Sequence, residues 1–590
     1  MLLIEFILLV LAVFVAFVRP TVCSQYFERL ERGFSRLAEK RRLSVAVVGF
    51  AALFLRIVLL PILHVPEPIV HDEFGYLLIA NTFSHGRVTN PTHPMWVHFE
   101  TFSVIQKPTY QGYAPATQGL ILAAGQIITG HPFWGVWLSV GVMCSAICWM
   151  LQGWLPAGWA LLGGFLAVLR FGVLGYWANS YWGGAAGAIG GALVIGALPR
   201  ITRFPHLRHS IIMGVGLAIL ANSRPYEGLV FSLPMGIALL IWLSRKSGPT
   251  LRDKLLRAIV PLCLVLTLGC ATTGYYFWRV TGSPFRSPYQ VERETYSSLP
   301  YLIWQPLRQP PSYNHKVIQD AYSDGVQGVI SNRSWQGVLY ALLGRSLWLW
   351  RFFLGPALTL PVLLLSIILP YGFKWRSIST QTRFLIVVFF TFLVGVVGLE
   401  VTLFSPHYAA PLTSVALALV LISMRRLRSW RPWDKPAGLF IVRGIPAIWV
   451  IMFLAASLAG RLHIPLSQSH VPAWDQRGPN SFGRAATLFQ LEQLPGNQLV
   501  IVRYRPDHNA FAEWVYNDAE IDNSKVVWAR DMDPEQNEQL IQYFKDRSVW
   551  LLEADEKPPR LLPYSRGMAE VLATAHGRGQ TRTRISNDSD

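Results

Sequence analysis

The feature that most constrains this chain is a series of apolar runs, each close to the length of a membrane span. They lie at 44–64, 134–153, 156–177, 183–199, 209–222, 226–244, 258–280, 347–372, 384–404, 409–424 and 440–459. A bilayer core about 30 Å thick takes about 20 apolar residues of helix, and a helix satisfies its own backbone there. A shorter run lies at 115–130. The run at 1–18 has neither a basic leader nor a small-residue cleavage site, so it reads as a retained helix, not a signal peptide. Charged residues are 15% of the chain and apolar residues 52%, which excludes a cytosolic enzyme, a disordered chain and a disulfide-rich secreted scaffold.

The formal net charge of +18 could suggest nucleic acid, but the basic residues sit between the apolar runs, where cytoplasmic loops collect them. No nucleic-acid partner is expected. The segment 19–43, with Arg29, Arg32, Arg36, Lys40, Arg41 and Arg42, reads as an amphipathic cytoplasmic linker. Arg200, Arg203 and Arg208 mark one cytoplasmic loop, and Arg245, Lys246, Arg252, Lys254 and Arg257 a second. Lys374, Arg376 and Arg383 mark a third, and Arg425, Arg426, Arg428 and Arg431 a fourth. Residues 65–114, 178–182, 221–227, 281–346, 405–408 and everything after about 460 then face the other side. Four runs separate position 114 from position 200, and parity requires an odd number of crossings. The run at 115–130 is therefore read as a juxtamembrane or re-entrant helix, leaving about eleven or twelve spans. Cys144, Cys148, Cys263 and Cys270 lie in apolar runs and Cys23 in the basic linker, so no structural disulfide is expected.

Four regions follow: 1–43, hydrophobic helix and basic linker; 44–460, the membrane domain; 461–577, a small soluble α/β domain; and 578–590, a disordered tail. The α/β reading rests on β-branched or aromatic runs at 499–504, 526–529 and 549–553, with a helical stretch at 534–544 between the last two. Asp507, His508, Glu513 and Asp518 there form either a solvated surface or a binding face.

The chemistry is expected in the outer loops. Loop 65–114 carries His71-Asp72-Glu73-Phe74-Gly75-Tyr76, and adjacent carboxylates beside a span are often functional. They also fit the first turn of a short amphipathic helix lying on the membrane, where they would act as caps. One carboxylate could cap while the other stays free. His85, His93, His98 and Glu100 match no metal-binding spacing, and they read as solvated or substrate-contacting groups. Lys107-Pro108 closes the loop, Lys107 being a cation on the side that basic residues avoid, either snorkelling to headgroups or functional. Asn179-Ser-Tyr181-Trp182, Arg224-Pro225-Tyr226-Glu227 and His407-Tyr408 form three further outer patches. Arg224 and Glu227 are either a structural ion pair or part of a site. Loop 281–346, with Tyr289, Glu292, Arg293, Glu294, Tyr296, Trp304 and His315, could cover the site.

Asp72-Glu73 in a long first loop, Lys107-Pro108, Tyr113-Ala-Pro-Ala-Thr-Gln-Gly119 and the order of spans over 44–425 together resemble the GT-C membrane glycosyltransferases. The likeness is to glycosyltransferase family 39, which includes protein O-mannosyltransferases and the lipid A aminoarabinose transferase. The resemblance implies an all-α polytopic GT-C fold and a sugar carried on a polyprenyl phosphate. It also implies Asp72 as the catalytic carboxylate and Lys107 as a cation near the donor phosphate. Ala114-Pro115 stands where many members have a proline pair, and the tail after 460 is not a β-trefoil.

On chemical grounds Asp72 is then assigned as general base toward an acceptor hydroxyl, with Glu73 as the second catalytic carboxylate, positioning it or binding sugar hydroxyls. Lys107, Arg224 and His407 are assigned to the donor phosphate. His71, Tyr76, Trp96, Asn179, Tyr181, Trp182, Glu227 and Tyr408 are expected to contact sugar or acceptor. One displacement predicts inversion at the anomeric carbon. No cofactor and no metal ligand set is expected, and the partners are membrane lipid, the polyprenyl-phosphate sugar and an acceptor that is a protein, lipid or glycan. The setting is a multi-pass plasma (inner) membrane, with the site and the C-terminal domain on the periplasmic side. The rival reading is a polytopic lipid or glycan transporter or flippase, against which stands the lack of a repeat between halves.

Overall fold

A computed structural model describes residues 1–246, 248–331, 334–368, 378–399, 405–459 and 483–564. The chain is mostly helical, with a small sheet near its C-terminal end. Among the described residues, seven helices are long and apolar enough to cross a membrane, or eight if one bent pair is a single span. This is the build of a multi-pass membrane protein. The expected eleven or twelve runs do not all yield such helices. Leu207–Ala221 has 15 residues, and Ala157–Ala167 continues only as far as Gly172, where the turns widen. Ala116–Thr129 rises about 21 Å at 1.5 Å per residue, short of a bilayer core. Lys374, Arg376 and the tail 578–590 lie outside the described residues.

Small residues set the centre of the bundle. Gly184–Arg203 is 89% buried over its most apolar window, packed between Phe133–Trp154 and Leu207–Ala221. A Cβ at Gly191 would lie 2.2 Å from the Pro411 carbonyl oxygen, so the backbone of the 406–412 turn reaches this helix only because a glycine stands there.

The expected span at 347–372 is instead two helices. Trp335–Phe353 and Gly355–Ile367 meet at 103°, Gly355 having φ 63° and Pro356 following it. Hydropathy registers the apolar character of this run but not the turn within it. Two buried charges serve the exposed helix ends at the break. Glu5 Oε1 accepts the N–H of Ala357 at 2.9 Å, at the start of the second helix. Arg170 donates to the Phe352 carbonyl at 2.7 Å and to that of Arg351, at the end of the first. Each sign matches the helix end it faces.

The loop after the first long helix folds into His71–Ser84 and a two-stranded hairpin, β1 (Val104–Ile105) with β2 (Gln111–Gly112), in register Val104–Gly112 and Ile105–Gln111. The expectation of a helix lying on the membrane does not hold for His71–Ser84. Eight of its 14 residues are buried, under the hairpin on one side and the C-terminal sheet on the other. Glycines allow the close fit: a Cβ at Gly75 would lie 2.6 Å from the Ser103 carbonyl oxygen, and one at Gly112 would lie 2.2 Å from that of Gly75.

Residues 483–564 hold β3 (Asn497–Arg503), β4 (Val526–Arg530), β5 (Arg547–Glu553) and β6 (Arg560–Pro563), in spatial order β4-β3-β5-β6. The first three are parallel and β6 runs antiparallel to β5. Strands are thus found where the β-branched runs lie, and β6 is an additional one. Pro534–Tyr543 is the expected helix, opened by Asp533 accepting the N–H of Gln536 at 2.8 Å, with Pro534 in the first turn. Trp514 and Trp528 fill the core beneath the sheet.

Candidate functional site

The two adjacent carboxylates have different environments. Glu73 accepts the backbone N–H groups of Ile69 and Val70 on Oε2, at 2.9 and 3.0 Å, and that of Tyr181 on Oε1 at 2.9 Å. It caps the first turn of His71–Ser84 and ties it to the 173–183 turn. Burial pushes its carboxyl above the usual range, against those three donors.

Asp72, one position earlier, points to side chains. Ser103 donates to Oδ1 at 2.9 Å, Tyr113 donates to Oδ1 at 2.8 Å, and Trp182 Nε1 donates to Oδ2 at 2.7 Å. Burial holds the Tyr113 phenol well above its usual pKa, so it stays a donor. A carboxylate has about four lone-pair positions, so three donors leave one on Oδ2 for a further hydroxyl. Ser103 and Tyr113 are the first and last residues of the hairpin segment, joined by the Tyr113 N–H to the Ser103 carbonyl at 3.1 Å.

From Asp72 a continuous chain of contacts runs inward. The Trp182 ring lies 4.7 Å from that of His407, and His407 lies 4.8 Å from Tyr408. The Arg224 guanidinium sits 4.5 Å from the centroid of Tyr408. Tyr176 OH is 2.9 Å from His407 Nδ1, and His407 Nε2 is buried with no hydrogen-bond partner. Burial works against the charge on Arg224. The fields of Tyr76, Glu227, Tyr408 and Asp72 outweigh it and hold the guanidinium above its usual value. Asp72, Arg224, His407, Trp182, Tyr76, Glu227 and Tyr408, all expected from sequence, thus share one neighbourhood.

Other expected residues have different roles. Lys107 is at the far end of the hairpin segment, exposed, with its ammonium 3.9 Å from the centroid of Trp96, and no hydrogen bond or ion pair links it to Asp72. Both Lys107 and Trp96 leave the site for the same reason: the hairpin brings its ends, not its tip, to the helix. Asn179 donates to the carbonyls of Val173 and Gly175, and Tyr181 OH to that of Pro66, so both hold turns. His71 is half-buried, its pKa lowered by desolvation against the field of Asp72, with Nδ1 3.0 Å from Tyr516 OH.

Of the remaining loop polar groups, His85 is exposed, whereas His93, His98 and Glu100 are buried against protein. His93 Nε2 is 2.9 Å from Asp522 Oδ1, and Glu100 takes Tyr296 OH at 2.8 Å and Asn314 Nδ2 at 2.7 Å. Glu513, read from sequence as solvated or binding, is buried against Arg530 and Tyr504. Among the described residues, no three His, Cys, Asp or Glu side chains converge to hold a metal ion.

Sequence reasoning misses Ser103, which nothing local marks; Tyr113 and Glu292 lie in segments it names but without a role beside Asp72. Loop 281–346 supplies a helix, Pro288–Tyr296, that lies against the site. Tyr289 is 5.5 Å from Tyr113, and Glu292 is buried within the field of Asp72 and accepts from Tyr322 OH. Burial pushes the Glu292 carboxyl up to about 7, despite that hydrogen bond and Arg293.

No protein-family model matches the chain, and no curated protein does. Solved structures similar to it include the oligosaccharyltransferase of Archaeoglobus fulgidus in its apo form. That structure is 10% identical, over 87% of this chain and 69% of that one, with a TM-score of 0.46. The same enzyme with zinc and sulfate gives 12%, 86%, 68% and 0.48. In complex with an inhibitory peptide and a dolichol-phosphate it gives 11%, 87%, 69% and 0.44. The functional reading below rests on the residues of this chain.

Proposed function

We propose that the chain is a GT-C glycosyltransferase akin to family 39, moving a sugar from a polyprenyl-phosphate donor to an acceptor hydroxyl at the outer face of a plasma membrane. The observation that carries this reading is the pairing of a carboxylate fixed by three side-chain donors, with a lone pair to spare, and a guanidinium in the same electrostatic field. The acceptor O–H gives its proton to Asp72 Oδ2 while its oxygen attacks the anomeric carbon. The bond from that carbon to the donor phosphate oxygen breaks, and the lipid phosphate leaves with the electron pair. Attack opposite the leaving group inverts the centre.

Charge growing on the leaving phosphate calls for fixed donors. Arg224 supplies one and the buried His407 Nε2 is oriented beside it, whereas Lys107 has no part in this scheme. Tyr76, Trp182 and Tyr408 offer faces for the sugar ring. Glu73 fixes the helix turn that presents Asp72, a positioning role.

The test is Asp72→Asn, assayed in membranes with a polyprenyl-phosphate sugar donor. Loss of a general base lowers the rate about a hundredfold or more. Full transfer by this variant would overturn the mechanism.

A further inference from the structure

One cavity among the described residues lies away from Asp72. A hollow of about 340 Å³ lies where the carboxyl ends of β3 and β4 meet the start of Lys316–Ser331. In an open sheet with parallel strands, ligands settle outside the carboxyl ends of the strands where the strand order reverses. The reversal in this sheet falls between β3 and β5, and the hollow lies one strand gap away, at the carboxyl ends of β3 and β4. The volume is at the small end of the roughly 300–1,000 Å³ of small-molecule sites.

The lining chemistry narrows the ligand. Arg503 is paired with Asp531, and Arg530 with Glu513, so neither guanidinium brings an uncompensated charge. The helix end at Pro534 is closed by the Asp533 carboxylate, which would repel an anion. These features disfavour a phosphate or carboxylate ligand. Hydrogen-bonding groups nevertheless line the walls: Arg503 Nη1 is buried with no partner, the Gln536 amide stands at the rim, and beside it is the Lys316 ammonium, which also pairs with Asp320. Met532 and Val502 form an apolar flank. Polar planes on several sides and an apolar strip on one side suit a compact ligand with many hydroxyls and a C–H face.

We propose that this cavity binds a neutral saccharide. The proposal stands on the cavity alone and does not require the transfer reaction. The experiment is saturation-transfer NMR on the full chain in nanodiscs free of glycosidic detergent. The probes are methyl α-glucoside, methyl α-mannoside and methyl α-galactoside, with inorganic phosphate as competitor. Ring protons of at least one probe are expected to take up saturation. Met532→Trp, which fills the hollow, abolishes it. The rim variant Lys316→Ala with Gln536→Ala loses about fivefold in affinity for each hydrogen bond removed. It alters no residue of the sheet core and carries the test if the Trp variant fails to fold. Absence of transfer to all three probes, equal affinity in the rim variant, or displacement by phosphate would each overturn the proposal.

Discussion

Two of the regions where this molecule buries charge use it differently. At the break near Gly355, Glu5 and Arg170 meet backbone N–H and C=O groups that two interrupted helices leave over. Around Asp72 the partners of the charges are side chains: hydroxyls, an indole and aromatic faces. Backbone partners are fixed by the fold, so the first set reads as structural. Side-chain partners at a carboxylate with a lone pair in reserve form a place where a substrate group can enter. Asp72 and Glu73 repeat the contrast at adjacent positions. Burial and charge alone do not separate a functional group from a structural one; the nature of the partner does.

This contrast can be broken or sharpened by substitution. The largest expected effect on activity after Asp72→Asn is Arg224→Ala, which should lower transfer about 10²- to 10³-fold with little change in thermal stability. An equal loss in stability and in activity per folded molecule would erase the distinction between the two regions. Glu5→Gln and Glu73→Gln should do the reverse. Each weakens charge-assisted contacts to backbone and costs about 1–3 kcal/mol of stability, while transfer per folded molecule stays near the parent level. Thermal unfolding beside a transfer assay on the same preparations checks both.

Glu292 tests the border between the regions. Its folded carboxyl keeps its proton up to about 7, whereas an unfolded glutamate releases it at 4.5. The stability it contributes is therefore full below pH 4.5 and is lost as pH rises through 7. Glu292→Gln should leave the unfolding temperature unchanged near pH 5 and raise it relative to the parent near pH 8. A constant difference across that range would show that the group does not titrate there. The smallest effect is expected for Lys107→Ala, which should cost about 0.5–1 kcal/mol of stability through the lost cation–indole contact and leave transfer per folded molecule near the parent level.

Much of this arrangement is legible in the sequence, and the exceptions have physical causes. Apolar runs mark the helices, and β-branched runs mark β3, β4 and β5, because burial dictates both patterns. The Asp-Glu pair at a helix start announces a cap and a spare acid, though only tertiary contacts with Tyr181 and Trp182 show which is which. The break at Gly355 is hidden because its residues are as apolar as those of a span. The place of Lys107, over Trp96 and away from Asp72, is not legible because an unusual position for a cation says nothing about the direction of the hairpin that carries it. Ser103 carries no local signal, and its approach to Asp72 depends on Gly75 allowing backbone against backbone.

The contact between His71 and Tyr516 joins positions 445 residues apart, and the Tyr516 ring stacks on Phe74 at 4.0 Å and 2°. These two neighbours flank Asp72-Glu73 in the chain. During synthesis the membrane helices can insert in order, but the surroundings of Asp72 remain unfinished until the ribosome has passed codon 516 and the late sheet has docked. Completion of the surroundings of Asp72 thus waits for the late sheet, and a nascent chain carries its long apolar helices before that corner is closed.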